Sequence, residues 1–291
     1  MPTTERNTRL LRGSIIALCL ILPVTATTQA PRLSARLRYT ITDHTEVMRQ
    51  IAFSPDGQFL ATSSVDSTIR IWRMSDGKLA RMIRNPEAVT SIAYSPDGQW
   101  LVSGSYDGAA RLWRVGDGTL ARTFKGHTGT VWTVAYSPDG QRIATSGEDK
   151  TVRLWRPSDG TLLNTLKGHT LNVWSVAFSP DSKLVGSGSF DRTIKFWRTD
   201  TGALVRTLAG SGEAVVHIDF SPDGQTLASS GDDKLIRLWR VSDGALQQEL
   251  SGHSDDVWAV ALSSDGKWLA TSGLDKVVKV WSLETTAATP R

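Results

Sequence analysis

Cysteine is almost missing from this chain: Cys19 is the only one in 291 residues. One thiol excludes a disulfide framework and any zinc site built from thiolates. The five histidines are dispersed along the chain, and neither a dense Asp/Asn calcium loop nor an aspartate box of sialidase type is present, so no metal or cofactor is expected. A strong charge of one sign is lacking as well. The formal charge is +4, and the first 26 residues contribute three arginines against one glutamate, leaving +2 for the remainder. Nucleic-acid binding would call for a clustered basic face, and none is visible.

Long apolar runs are equally scarce. The one near the N-terminus, Ser14 to Leu22, falls short of the about 20 residues that span a bilayer. Arg6, Arg9 and Arg12 precede it, Pro23 follows, and Val24-Thr25-Ala26 supplies a small-x-small cleavage pattern. Residues 1–26 are therefore expected to be a secretory signal peptide cut after Ala26, followed by a linker over 27–36. Cleavage after Ala30 would place Pro31 next to the cut, which disfavours it. An uncleaved anchor is the alternative, and Ile16-Ala17-Leu18-Cys19 makes a weak lipobox because Leu18 stands where a small residue belongs. Loss of the signal removes Cys19, which suits an oxidising periplasmic or extracellular destination, with no stable membrane insertion afterwards.

What the chain has in abundance is repetition. Trp72, Trp113, Trp155, Trp197, Trp239 and Trp281 recur at intervals of 41, 42, 42, 42 and 42 residues. A period of this length marks a solenoid or propeller. In the third repeat, Val131 to Tyr136, Arg142 to Ser146, Thr151 to Trp155 and Leu162 to Leu166 read as four short strands separated by Ser137-Pro138-Asp139-Gly140, Asp149-Lys150 and Ser158-Asp159-Gly160. Proline and glycine fix the first turn, and Asp-Gly favours the positive backbone angles of the last. Four antiparallel strands per unit make a propeller blade.

The blocks Lys125-Gly126-His127, Val131-Trp132, Ser137-Pro138-Asp139-Gly140, Asp149 and Trp155 resemble the WD-repeat β-propeller family, over about residues 37–283. The Ser-Pro-Asp-Gly turn alone also looks like the propeller of the bacterial TolB family; the Gly-His and tryptophan positions favour the WD repeat. The expected fold is all-β, a closed six-bladed propeller with a tail over 284–291. Fourth-strand patterns follow five of the tryptophans, and the sixth copy stands ahead of the first repeat at Leu37 to Ile41. That strand is expected to complete the last blade and close the ring, removing two open edges.

Hydroxyl, histidine and aspartate recur in every repeat or nearly so. Such sets could pass for hydrolase triads, but an enzyme concentrates its chemistry in one cleft, so catalytic residues are expected to be none. The resemblance implies structural tetrads that hold each indole N–H: His44, Thr62, Asp66, Trp72; His127, Thr145, Asp149, Trp155; His169, Ser187, Asp191, Trp197; and His253, Thr271, Asp275, Trp281. Repeats two and five depart from the pattern, with Asn85 and Ser211 in place of histidine, so Asp107 and Asp233 lose that partner. Both loops continue Glu-Ala-Val, a trace of a duplicated three-blade unit or of two specialised loops. Arginine follows the tryptophan in five repeats, where the family has aspartate.

In that family, partners usually sit on the face carrying the loop before the first strand and the turn between the second and third. Two positions per blade look towards it: Arg49, Thr90, Trp132, Trp174, Val216, Trp258, and Val65, Tyr106, Glu148, Phe190, Asp232, Leu274. Three tryptophans, a tyrosine and a phenylalanine on one rim are expected to dock a protein or peptide, since such residues dominate binding energy. The alternative is that Val-Trp merely packs blade on blade. The expected function is an exported, non-enzymatic and monomeric protein-binding scaffold. A hydrolase or lactonase using the central channel is the alternative, for which Glu148 and Asp232 are the candidate acids; His217 is assigned no role.

Overall fold

A computed structural model describes residues 37–283, so the expected signal, the linker over 27–36 and the tail over 284–291 lie outside the described residues. The strands form six antiparallel sheets, each made of strands consecutive in the chain. The first holds β1 (Met48–Phe53), β2 (Phe59–Ser64), β3 (Thr68–Arg73) and β4 (Leu79–Arg84), the second β5 (Val89–Tyr94), β6 (Trp100–Ser105), β7 (Ala109–Arg114) and β8 (Leu120–Lys125). The third holds β9 (Val131–Tyr136), β10 (Ile143–Gly147), β11 (Thr151–Trp155) and β12 (Leu162–Lys167), the fourth β13 (Val173–Phe178), β14 (Leu184–Ser189), β15 (Thr193–Arg198) and β16 (Leu204–Ala209). Blade five holds β17 (Val215–Phe220), β18 (Thr226–Gly231), β19 (Ile236–Arg240) and β20 (Leu246–Leu250), and blade six β21 (Val257–Leu262), β22 (Trp268–Gly273) and β23 (Val278–Ser282). From blade one to blade six the first strand of each packs against the first strand of its successor, at five seams, which makes these the inner wall of a propeller.

The first turn of each blade shows why the sequence turns there. Ser54 Oγ donates to Asp56 Oδ1 at 2.6 Å, and it accepts from Phe59 N at 2.9 Å. Gly57 closes the turn with a φ of 68°. Blade four carries Ser182 at that position with a φ of 60°, at the cost a side chain incurs in the left-handed region. Its hydroxyl accepts from Asp139 N of blade three at 3.0 Å.

Five apolar clusters fill the seams between successive blades. In the first seam Ala61, Ile69, Ile71 and Ile83 of blade one meet Val89, Ile92 and Leu101 of blade two, and the other four repeat that arrangement. Burying side chains of this size contributes roughly 1.5–3 kcal/mol each. The repeats alone cannot bury these faces, so stacking is what stabilises them.

The expected closing strand is not formed. Among the described residues blade six has three strands, and residues 37–41 lie outside any sheet. They are fixed to blade one instead: Tyr39 covers Gly77, where a Cβ would stand 2.6 Å from Cδ1 of the ring, and its hydroxyl donates to Ser75 O at 2.7 Å. Arg122 and Arg206 hold the corresponding place against the next blade elsewhere. Leu37 is 81 % exposed, and among the described residues no strand pairs with the outer edge of β23. Between blades six and one no apolar cluster forms among the described residues.

Candidate functional site: the rim

A repeated irregularity in the backbone positions the rim. In every blade the pairing of the first strand with the second skips one residue, and the residues skipped are Arg49, Thr90, Trp132, Trp174, Val216 and Trp258. A bulge of this kind re-aims the side chain at the edge of a sheet. The second set begins the turn after each second strand. Tyr106 N donates to Ala88 O at 3.1 Å, Glu148 N to Thr130 O at 2.9 Å and Phe190 N to Asn172 O at 3.0 Å, which ties each to the residue just ahead of the bulged strand. Val65, Asp232 and Leu274 are held alike, to Val47, Ala214 and Asp256.

Five of these twelve side chains form one continuous row. The Arg49 guanidinium lies 5.8 Å from the Tyr106 ring centre and hydrogen-bonds its hydroxyl. Tyr106 meets Trp132 edge-on at 5.7 Å, Trp132 stacks on Trp174 at 5.1 Å, and Trp174 stacks on Phe190 at 4.7 Å. All four aromatics are half-buried, and the indole N–H groups of Trp132 and Trp174 have no acceptor among the described residues. The row runs from blade one to blade four.

The remaining expected residues do not join it. Trp258 is only 8 % exposed and no ring contact links it to the row; Thr90 and Val216 are buried too, Thr90 donating to Val131 O at 2.6 Å. Glu148 is exposed and accepts from Thr130 N at 3.2 Å. Asp232 lies on the acidic arc of blades five and six. There burial, with Asp255 and Asp233 adding repulsion, holds the Asp256 carboxyl above its ordinary range. The rim is thus divided, aromatic on one arc and acidic on the other.

All four tetrads assemble as named. His44 Nδ1 lies 2.8 Å from Asp66 and Nε2 2.7 Å from Thr62, whose hydroxyl accepts from Trp72 Nε1 at 3.0 Å. Around His127 the distances are 2.9, 2.8 and 2.9 Å, around His169 2.8, 2.7 and 2.9 Å, and around His253 2.8, 2.8 and 3.1 Å. A carboxylate only accepts, so Nδ1 carries the proton; Nε2 then accepts from the hydroxyl, and the hydroxyl from the indole. Burial alone would raise each aspartate, but hydrogen bonds from histidine, and from threonine in three of the blades, hold all four below the usual carboxylate range. The hydroxyl oxygen also accepts from the indole, so the four side chains form one hydrogen-bonded chain across each of these blades.

Blades two and five replace histidine with arginine rather than with nothing. Arg111 pairs with Asp107 at 2.5 Å and Arg237 with Asp233 at 2.7 Å, and both guanidiniums are buried. Trp113 and Trp239 keep their bonds to Ser103 and Ser229, at 2.9 and 2.8 Å.

The inner wall holds a buried acid, Asp219, that reading the sequence missed, near His217, to which it assigned no role. The column Ala52, Ala93, Ala135, Ala177 and Ala261 is broken by Asp219, which accepts from Leu262 N at 2.8 Å, and His217 lies two residues before it on β17. Burial pushes Asp219 up to about 6 and His217 down to about 4; backbone hydrogen bonds oppose both shifts. The break in an alanine column was the available signal. On the opposite face a cavity of about 520 Å³ lies between blades two and three, lined by Trp100, Tyr136, Asp97 and Asp139 among others. Both carboxylates there are bound into the first turns of their blades. Among the described residues no cluster of His, Cys, Asp and Glu is arranged to hold a metal.

Comparison with known proteins agrees with this geometry. Six segments, residues 35–73, 77–114, 118–156, 160–198, 202–240 and 244–282, match the family described as WD domain, G-beta repeat. Similar curated proteins include Protein HIR1 of Mycosarcoma maydis, 45% identical over 51 residues, which is 18% of this chain and 5% of that protein. WD repeat and SOCS box-containing protein 1 of Homo sapiens is 38% identical over 53 residues, 18% of this chain and 13% of its own. Histone transcription regulator slm9 of Schizosaccharomyces pombe is 35% identical over 63 residues, 22% and 8% respectively. The chain therefore spans a small part of each relative.

Proposed function

Because the chain belongs to the WD40 family, whose propellers generally mediate protein–protein interaction, we propose that it is a non-enzymatic docking platform holding a protein or peptide segment against its aromatic row. The observation that carries this reading is the unbroken sequence Arg49, Tyr106, Trp132, Trp174, Phe190, built on the bulges of blades one, three and four and the turns of blades two and four. Blades hold those rings in place before any partner arrives. Little ordering entropy is lost on docking, which is what makes a rigid rim an effective binder. The acidic arc of blades five and six sets the orientation of whatever binds, favouring a segment whose far end is basic.

We further propose export to the periplasm or beyond, on the strength of Arg6, Arg9 and Arg12 ahead of the apolar run and the Val24-Thr25-Ala26 pattern, with the exported chain acting as a monomer. The test is capture with residues 27–291 as bait from envelope and culture fractions, beside a Trp132→Ala/Trp174→Ala variant shown to be folded by circular dichroism. A protein retained by the parent and lost by the variant supports the reading. Identical retention by both would move the interface off the row.

A further inference from the structure

Blade three breaks the repeat on the face opposite the aromatic row. In the other five blades the residue after the third strand donates its backbone N–H to the carbonyl just ahead of the second strand: Met74 to Gln58, Val115 to Gln99, Thr199 to Lys183, Val241 to Gln225 and Leu283 to Lys267, at 2.7–3.0 Å. Blade three has Pro157 at that position, and proline has no N–H to give. Pairing of β10 with β11 accordingly begins at Ile143 and Trp155, one rung short of the other blades. The carbonyl of Gln141 is left without a donor among the described residues.

The missing rung lies at the cavity of about 520 Å³ between blades two and three, which Gln141 and Pro157 both line. A volume of that order accommodates a side chain or a small ligand. The rings of Trp100 and Tyr136 form part of its wall, beside the buried Leu112. A smaller cavity of about 390 Å³ lies between blades one and two, but Val115 stands there in place of proline and the carbonyl of Gln99 is taken.

The charged groups around the larger cavity are unequally engaged. Arg122 donates to the carbonyls of Pro157 and Ser158, and Arg156 pairs with Asp159 at 2.9 Å. Asp139 accepts through Oδ1 from Ser137 and Gln141, and its Oδ2 lies 3.4 Å from Arg142. Asp97 accepts through Oδ1 from Ser95 Oγ and Gln99 N, while its Oδ2 has neither a hydrogen bond nor an ion pair among the described residues. Burial and the charge of Asp97 push the Tyr136 hydroxyl up to about 12, which places that ring beside the carboxylate. Trp100 already draws one cation to its ring, the Arg114 guanidinium at 5.7 Å, which does not itself line the cavity. The unspent groups are therefore acceptors, Gln141 O and Asp97 Oδ2, set among aromatic rings.

From this we infer that the cavity between blades two and three is a second interaction site, one that takes the lysine side chain of a partner protein. The ammonium group donates to the Asp97 carboxylate and the Gln141 carbonyl, and the four-carbon stem lies against Trp100 and Tyr136. A carboxylate ligand would find the arginines there already bonded. The site is on the other face from the aromatic row and does not depend on it.

The test titrates the full, isotope-labelled chain with Nα-acetyl-lysine N-methylamide, followed by NMR. The expected result is saturable shifts of the Trp100 indole and of the Gln141 amide. Acetylating the probe at Nε removes its charge, and Asp97→Asn removes the site's charge while keeping the turn's Oδ1 acceptor; each should weaken binding by about tenfold or more. Pro157→Val installs the residue of blade two, so its new amide should exchange slowly as it bonds Gln141 O, and binding should fall by about tenfold. Trp132→Ala should change nothing. Absence of saturable binding, equal binding of the acetylated probe, shifts on the acidic arc of blades five and six in place of this cavity, or parental affinity in Asp97→Asn or Pro157→Val would overturn the inference.

Discussion

The Arg111 guanidinium sits 2.5 Å from the Asp107 carboxylate in the one half of the tetrad that blade two lacks. Histidine and arginine thus perform the same task in different blades, each giving a buried turn carboxylate a donor that fixes it. In blade three, Arg153 stands at the same position but lies 3.4 Å from Asp149, which His127 already holds.

This substitution of roles makes a comparison possible. Arg111→Ala should destabilise the protein by about 2 kcal/mol, the scale of a hydrogen bond to a charged group, and by clearly more than Arg153→Ala. Urea unfolding of both variants checks it. Equal losses would mean that Arg111 contributes only its packing.

The tetrads set the acid limb of stability. Asp66, Asp149, Asp191 and Asp275 have folded pKa values below the unfolded value of about 3.9. The stability they contribute is therefore present above that value and lost as pH falls through the folded ones. Asp149→Asn should flatten the fall in thermal midpoint below about pH 4 while lowering the plateau at neutral pH. An unchanged acid limb would contradict the assignment.

Asp219 has the opposite sign. Its folded pKa, near 6, lies above the unfolded one, so its contribution is full at low pH and is lost as pH rises through 6. Ionised in the wall, it costs on the order of 3 kcal/mol by the same linkage, with the bond from Leu262 N already offsetting part of the burial. Asp219→Ala, which restores the residue of the other five blades, should stabilise the chain at pH 8 and much less at pH 4. Measured midpoints at the two pH values decide it.

Much of this was legible in the residues, because a repeat states its own alignment. Sixteen tetrad residues were named in place, since each role demands a particular side chain at a fixed spacing. The bulge positions were found by counting five on from histidine, although nothing in the residue types announces a bulge. What counting could not reach was tertiary. Trp258 occupies the same register as Trp132 and Trp174 yet is buried apart from them, because Phe190 and Tyr106 flank those two, and Asp232 and Leu274 stand at the equivalent places in blades five and six. Residues 37–41 have the pattern of a fourth strand, but pattern is shared by both surfaces such a strand touches. Tyr39 makes the contact with Gly77 that Arg122 and Arg206 make with the next blade elsewhere, without the pairing to β23. Arg111 and Arg237 went unnamed, because a basic residue stands at that position in all six repeats and only its pairing with Asp107 or Asp233 in the structure sets these two apart.

The docking claim is tested most directly by calorimetry with the captured partner, comparing variants on the two arcs of the rim. Trp174→Ala and Tyr106→Ala should each weaken binding by about 2 kcal/mol, roughly thirtyfold, while Leu274→Ala leaves it within a factor of about two. Equal affinities for all three variants, or a loss confined to Leu274→Ala, would contradict the account.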